Sequence, residues 1–317
     1  MTPRRFLTAA ALGILALVIA AGGLSNAVAP AGVLAENIRG MRPSYGPIRV
    51  SEVPNEKAIL RRVWVPGLDA GYNPQGLAAV AGALLVSAYR SEAYGVNRGP
   101  CRPFRLDPES GRETGHADVP APCGHAGGLA YPGGDMLYVA DTHALFEIFL
   151  RQAFEAQAFP IRGMRLGPGL VGALAASTPG AIWIGTYKED GPGRLYRFAS
   201  EVLSRARDLG TLTIADASAE LAIPSYAQGA AFDRDGKLWV ARSHNRWGEL
   251  DRLDPATGAI ERRYAVAPGI EGIAFDQGGL MWAVSEAGAR HVYDNFWAAL
   301  VMPFFPLVFA IDPTQLE

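Results

Sequence analysis

Eight side chains suggest chemistry when taken together: Gln75, His125, Asp141, His143, Gln228, His244, Glu271 and Glu286. Tyr89, Arg90, Tyr187 and Lys188 occupy comparable places in the chain. Amides bond polar groups in both directions, imidazoles move protons near neutral pH, and carboxylates accept hydrogen bonds or hold cations. Carboxylates gathered in a partly enclosed mouth repel one another and need a cation, a proton or a base to stay there. Arg90, Lys188 and the histidines could supply that balance. No G-x-S-x-G, H-E-x-x-H, P-loop or dinucleotide signature is present to name a reaction. The eight are scattered along most of the chain, so only a repeating fold can bring them together.

The repeat is visible. Five segments open with a glycine and a small apolar strand: Gly76-Leu77-Ala78, Gly128-Leu129-Ala130, Gly172-Ala173-Leu174, Gly229-Ala230-Ala231 and Gly272-Ile273-Ala274. The intervals are 52, 44, 57 and 43 residues. About ten residues on, a bulky β-former follows: Val86, Tyr138, Trp183, Trp239 and Trp282. Third strands are expected at Pro103–Leu106, Leu145–Leu150, Arg194–Phe198, Glu249–Leu253 and Leu307–Ile311, three of them ending in Asp-Pro. Ser225–Ala267 shows the unit whole, as four short strands separated by Asp-Arg-Asp-Gly and Asp-Pro-Ala-Thr-Gly turns. Four antiparallel strands in about forty residues make one blade of an all-β propeller.

Five blades are the direct count, with six the alternative if a degenerate blade lies in Ala199–Ala227 or is built with residues 40–66. The fifth repeat lacks its outer strand at the C-terminus, while Ala58–Val65 is a strand with no blade of its own. Pairing the two would close the ring. In such a ring the starts of the first strands and the ends of the second strands lie on one face, where side chains from every blade converge. Asn73, Tyr226, Ser243 and Ser285 join the group above, and His291 could reach the same funnel.

The chain has 317 residues and a net charge of −2, so nothing electrostatic points to nucleic acid. Arg4 and Arg5 precede an uncharged run to Ala35, which reads as a signal peptide or a membrane anchor over 1–35. Either places the domain outside the cytoplasm, periplasmic or otherwise extracytoplasmic. Residues 36–56 read as a linker and 57–317 as the propeller domain. Cys101 and Cys123, the two cysteines of an exported chain, are expected to form a disulfide. Phe296–Phe305 is an uncharged insertion that either packs on the propeller or touches a membrane.

The blade grammar resembles the superfamily of gluconolactonase, senescence-marker-protein and strictosidine-synthase-like propellers, and the NHL repeats. The residues that carry it are Glu271-Gly272-Ile273-Ala274-Phe275-Asp276, Asp233 to Ala241, Asn73 to Ala78, and Leu137 to Asp141. It spans about residues 58–313 as a generic pattern. The resemblance implies a divalent cation such as calcium, held by Glu271, Asp141 and Asn73. It also implies a lactonase-like hydrolase in which the metal polarises an ester carbonyl and His125 or His244 carries the proton. The residues alone suggest instead an envelope propeller that binds a small molecule or a protein partner in its funnel.

Overall fold

Runs of β-formers between Gly, Asp and Pro turns fold as antiparallel strands throughout. The computed structural model describes residues 32–91, 99–155, 161–244, 246–293 and 302–317. A first strand, β1 (Ile59–Trp64), precedes the repeats. Blade one is β2 (Tyr72–Val80), β3 (Ala83–Arg90), β4 (Cys101–Leu106) and β5 (Glu113–His116). Blade two is β6 (Gly128–Ala130), β7 (Met136–Asp141), β8 (Ala144–Phe149) and β9 (Arg162–Leu166). Blade three is β10 (Leu174–Thr178), β11 (Ala181–Gly185) and β12 (Gly193–Ala199); β13 (Thr211–Leu212) then adds in parallel to β9 before β14 (Ala219–Ile223) completes blade three. Blade four is β15 (Ala227–Phe232), β16 (Leu238–His244), β17 (Trp247–Leu253) and β18 (Ile260–Val266). Blade five is β19 (Ile270–Phe275), β20 (Met281–Ser285) and β21 (Leu307–Ile311).

The ring closes as the sequence implies. β1 pairs antiparallel with β21, Trp64 opposite Leu307 and Arg62 opposite Phe309, and supplies the outer strand of blade five. The inner strands β2, β6, β10, β15 and β19 touch in ring order, and β19 returns to β2. Five blades are thus the whole ring. The stretch that left room for a sixth holds a helix (Ser200–Leu209), β13 and β14.

Glycine sets the width of the channel. A Cβ on Gly76 would lie 2.6 Å from the Leu129 nitrogen, and one on Gly272 would lie 2.3 Å from the Leu77 nitrogen. Neighbouring inner strands can approach this closely only where no side chain intervenes. Blade three departs from the pattern: β10 begins at Leu174, two residues past Gly172.

Segment 36–56, expected as a linker, lies against the propeller. Ile38, Val50 and Val53 are buried in the same core as Trp64, Trp282 and Phe309. The Val50 N–H bonds the Val33 carbonyl, and the Ser51 N–H bonds that of Phe304. Its Pro and Gly content marks irregular backbone rather than a free tether. The insertion expected at Phe296–Phe305 falls outside the described residues over 296–301. Its described end is packed inward, with Phe304 edge-on to Tyr45 and Phe305 edge-on to Phe309. The candidate leader over 1–31 is also outside the described residues. Among the described residues no helix is long and apolar enough to cross a membrane.

The Cys101–Cys123 disulfide is present, with Cα atoms 5.8 Å apart. It fastens β4 to the segment that leads into β6, and so ties blade one to the start of blade two. The aspartates of the Asp-Pro turns act as expected: Asp107, Asp254 and Asp312 each accept backbone N–H bonds from the residues that follow.

Candidate functional site

Antiparallel pairing puts the start of each first strand beside the end of the second. Asn73 pairs with Tyr89, Gly128 with Ala140, Ala227 with Arg242, and Ile270 with Ser285. The blades run the same way round the channel, so these pairs share one face. The far ends of the same strands, with Ala79, Ser177, Phe232 and Phe275, line a cavity of about 120 Å³ on the opposite face.

Two carboxyls stand at the polar mouth. Glu271 opens β19 with 2 % of its surface exposed, and the Ser243 hydroxyl at the end of β16 donates to its Oε1 at 3.4 Å. Glu286 follows β20, and the Gln75 amide at the start of β2 donates to its Oε2 at 3.1 Å. Gln75 also donates to the Pro74 carbonyl at 2.8 Å, which fixes its amide. Beside them the Asn73 Nδ2 donates to the Tyr89 hydroxyl at 2.7 Å and lies 3.2 Å from His291 Nε2. The Asn73 Oδ1 is buried and accepts no hydrogen bond.

Aromatic rings flank the carboxyls. Tyr89 is buried, its ring 5.8 Å from that of His125 and 6.3 Å from that of His291. Across the mouth, Tyr226 lies 6.2 Å from Tyr187, 6.2 Å from His244 and 5.5 Å from Trp247, edge to face in each case. Tyr226 holds φ at 60°, and Ala126, at the same mouth before blade two, holds φ at 53°. Non-glycine residues take this left-handed conformation at a cost, and such strain concentrates where a site must be shaped.

The electrostatics follow from enclosure without a cation. Burial pushes Glu271 well above the usual carboxylate range and the charge of Glu286 adds to this, while the Ser243 bond offsets little. Burial raises Glu286 to about 7 in spite of the Gln75 bond. The group is partly exposed by area, yet protein surrounds it on most sides. The Tyr89 hydroxyl is raised by burial and then by Glu286, and Tyr187 by burial, Glu189 and more weakly Glu271. Burial lowers His125, against the pull of Asp141, and lowers His291 to about 4. At neutral pH the carboxyl pair therefore holds a proton, and the two imidazoles are neutral acceptors. A pair of this kind can donate, accept, or ionise to meet a positive charge.

The structure thus gathers Asn73, Gln75, Tyr89, His125, Glu271 and Glu286 at one end, with Tyr187 and His244 on its rim. The other expected residues do different work. Asp141 Oδ1 accepts the backbone N–H groups of Gly124, His125 and Ala126 at 3.1, 2.7 and 2.9 Å, which makes it the anchor of the turn that presents His125. His143 sits exposed in the turn between β7 and β8, and among the described residues no side-chain contact joins it to the group. Arg90 and Lys188 are exposed, and among the described residues no ion pair joins either to Glu271 or Glu286; burial instead raises both carboxyls toward their protonated forms. Gln228 is half-buried beside Gly229 on β15. Trp247 was not singled out in the sequence; a tryptophan opening a third strand beside the mouth was the available signal.

The cation implied by the blade resemblance finds a partial donor set. Glu271 and the unpartnered Asn73 Oδ1 suit a hard ion, but Asp141 commits one oxygen to three backbone donors. Among the described residues one group of three His, Cys, Asp or Glu donors lies within 4.8 Å: Cys101, Cys123 and Asp141. Its sulfurs are joined in the disulfide and are not thiolate ligands. The residues present fall short of a metal centre.

No family model and no curated protein matches the chain. Among solved structures it is similar to the glutaminyl cyclase of Myxococcus xanthus, at 15% identity and a TM-score of 0.50, over 80% of this chain and 94% of that one. It is also similar to a calcium-binding protein, regucalcin, from Agrobacterium tumefaciens, at 18% identity and a TM-score of 0.46, over 80% and 93%. A luciferin-regenerating enzyme matches at 12% identity and a TM-score of 0.39, over 77% and 92%. At these identities the likeness speaks for the propeller fold alone.

Proposed function

We propose that this chain is an exported envelope propeller whose polar mouth binds a small molecule. The observation that carries the reading is the enclosed Glu271–Glu286 pair, fixed by Ser243 and Gln75 and, among the described residues, joined to no cation by an ion pair. Burying two acids side by side costs stability unless something at that place rewards it. A ligand that bonds or ionises the pair gives the reward. The site is formed by strand ends and the short turns beside them, which suits recognition of a compact molecule.

The hydrolase reading, with a divalent cation and His125 or His244 as proton carrier, is favoured by one feature. Asn73 Oδ1 is a buried oxygen without a donor, at the same mouth as Glu271. Metal analysis of purified protein, with and without Glu271→Gln, separates the two. The binding reading expects no stoichiometric metal in either protein and altered ligand affinity in the variant. One tightly held divalent ion in the wild type, lost in the variant together with esterase or lactonase activity, would replace binding by hydrolysis. Export is tested by a reporter fused after residue 40, which should be active only outside the cytoplasm.

A further inference from the structure

We infer that the ligand class of this mouth is an organic ammonium compound: a primary, secondary or quaternary amine held between the Glu271–Glu286 carboxyls and the Tyr89, Tyr187 and Tyr226 rings. The inference rests on the binding reading above and names its substrate class. Its first support is the charge the mouth can develop. Glu271 and Glu286 come from different strand ends of blade five and are anchored by neutral donors from blades four and one. Neither donor carries charge, so the pair can ionise fully towards a guest without breaking an ion pair.

The second support is independent of the acids. Tyr187 and Tyr226 pack edge to face on the blade-four side, backed by Trp247, whose own ring is covered by the Arg242 guanidinium at 5.6 Å, and Tyr89 lies on the blade-one side. Ring faces attract an organic cation, by about 0.5–2 kcal/mol each, whereas they offer no oxygen to a metal ion that wants six or more. The third is Asn73 Oδ1, a buried acceptor with no donor, hydrogen-bonded through its own Nδ2 to the Tyr89 wall. The N–H of a primary or secondary ammonium is the donor such an oxygen lacks; a quaternary one would engage the carboxyls and rings alone. A neutral polyol would bond the carboxyls but gain no charge–quadrupole attraction from the rings. An anion would gain nothing from the ring faces and would be repelled once the pair ionises.

The test uses the full chain and calorimetric titration with matched pairs of probes: benzylamine against benzyl alcohol, choline against 3,3-dimethylbutanol, and putrescine against 1,4-butanediol. The expected result is that the amine of at least one pair binds saturably, at least about tenfold tighter than its neutral partner. Glu271→Gln should weaken that amine by about tenfold or more, and Tyr187→Leu by a few fold, with unchanged circular dichroism. Equal binding of amine and neutral partner, sensitive to Glu271→Gln, would keep the mouth as a binding site and overturn the ammonium class. Amine binding untouched by both substitutions would place it elsewhere and overturn the inference. So would the absence of amine preference in all three pairs, or displacement of a bound amine by stoichiometric calcium.

Discussion

The Gln75 amide and the Glu286 carboxylate meet at 3.1 Å although 211 residues separate them in the chain. One lies near the start of the innermost strand of the first blade and the other just past the second strand of the last. Their bond lies across the seam where the ring closes, so closure of the fold and assembly of the mouth are one event. Contacts of such long separation form late and fix the final geometry.

Stability should fall as pH rises through neutrality. An unfolded glutamate ionises near 4.5, whereas folded Glu286 ionises near 7. Between those values the folded chain binds more protons than the unfolded one, so each step up in pH favours unfolding. The full effect of Glu286 is at most about 3 kcal/mol, reached above its folded value. Urea unfolding between pH 5 and 8 should show the midpoint dropping, and Glu286→Gln should flatten part of the slope. A wild-type midpoint that rises across this window would contradict the protonated pair.

The closing strand should be as costly to damage as any core element. Trp64 is 1 % exposed and packs against Phe304, on a strand that blade five cannot replace. Trp64→Ala should cost about 3–5 kcal/mol. Leu60, on the same strand, is 57 % exposed, and Leu60→Ala should cost less than about 0.5 kcal/mol. Equal losses in guanidinium unfolding would mean that β1 is not the outer strand of blade five in solution.

Periodicity carried most of this fold. The spacing from glycine to bulky β-former located the first and second strands of four blades, and Leu307–Ile311 was legible to the residue. Blade three was misplaced by two residues because its glycine precedes the strand and Leu174 takes the inner position. The turn aspartates were legible as turn formers, but not as acceptors for the indole N–H of Trp239 from Asp233 and of Trp282 from Asp276. That bond depends on a side-chain direction that spacing does not encode. The mouth residues were legible through topology, since strand starts and ends share a face. Their roles were less so: Asp141 looks like a ligand in sequence, and only the fold shows its oxygen already taken by the backbone of residues 124–126. The packed segment 36–56 was hidden because irregular backbone and a free linker have the same composition.

The last prediction joins the channel to the mouth. A methyl group on Gly272 would meet the Leu77 nitrogen at 2.3 Å and the Gln75 carbonyl at 2.7 Å, both main-chain atoms that cannot swing aside. Gly272→Ala must therefore push β19 away from β2 at the level of the site. The shift would carry Glu271 outward and pull Gln75 from Glu286, opening the enclosure that raises both carboxyls. Such overpacking costs about 1–3 kcal/mol or more. Gly82 provides the control. Unlike Gly272 it has a positive φ, and a Cβ there meets nothing within 4 Å, so Gly82→Ala should cost only the backbone strain of about 1 kcal/mol. The two variants should differ in kind as well as degree. Gly82→Ala should keep the pH-dependence of unfolding, whereas Gly272→Ala should lose stability and flatten the neutral-pH slope together. A destabilised Gly272→Ala protein that keeps the full slope would show that channel width and carboxyl protonation are independent.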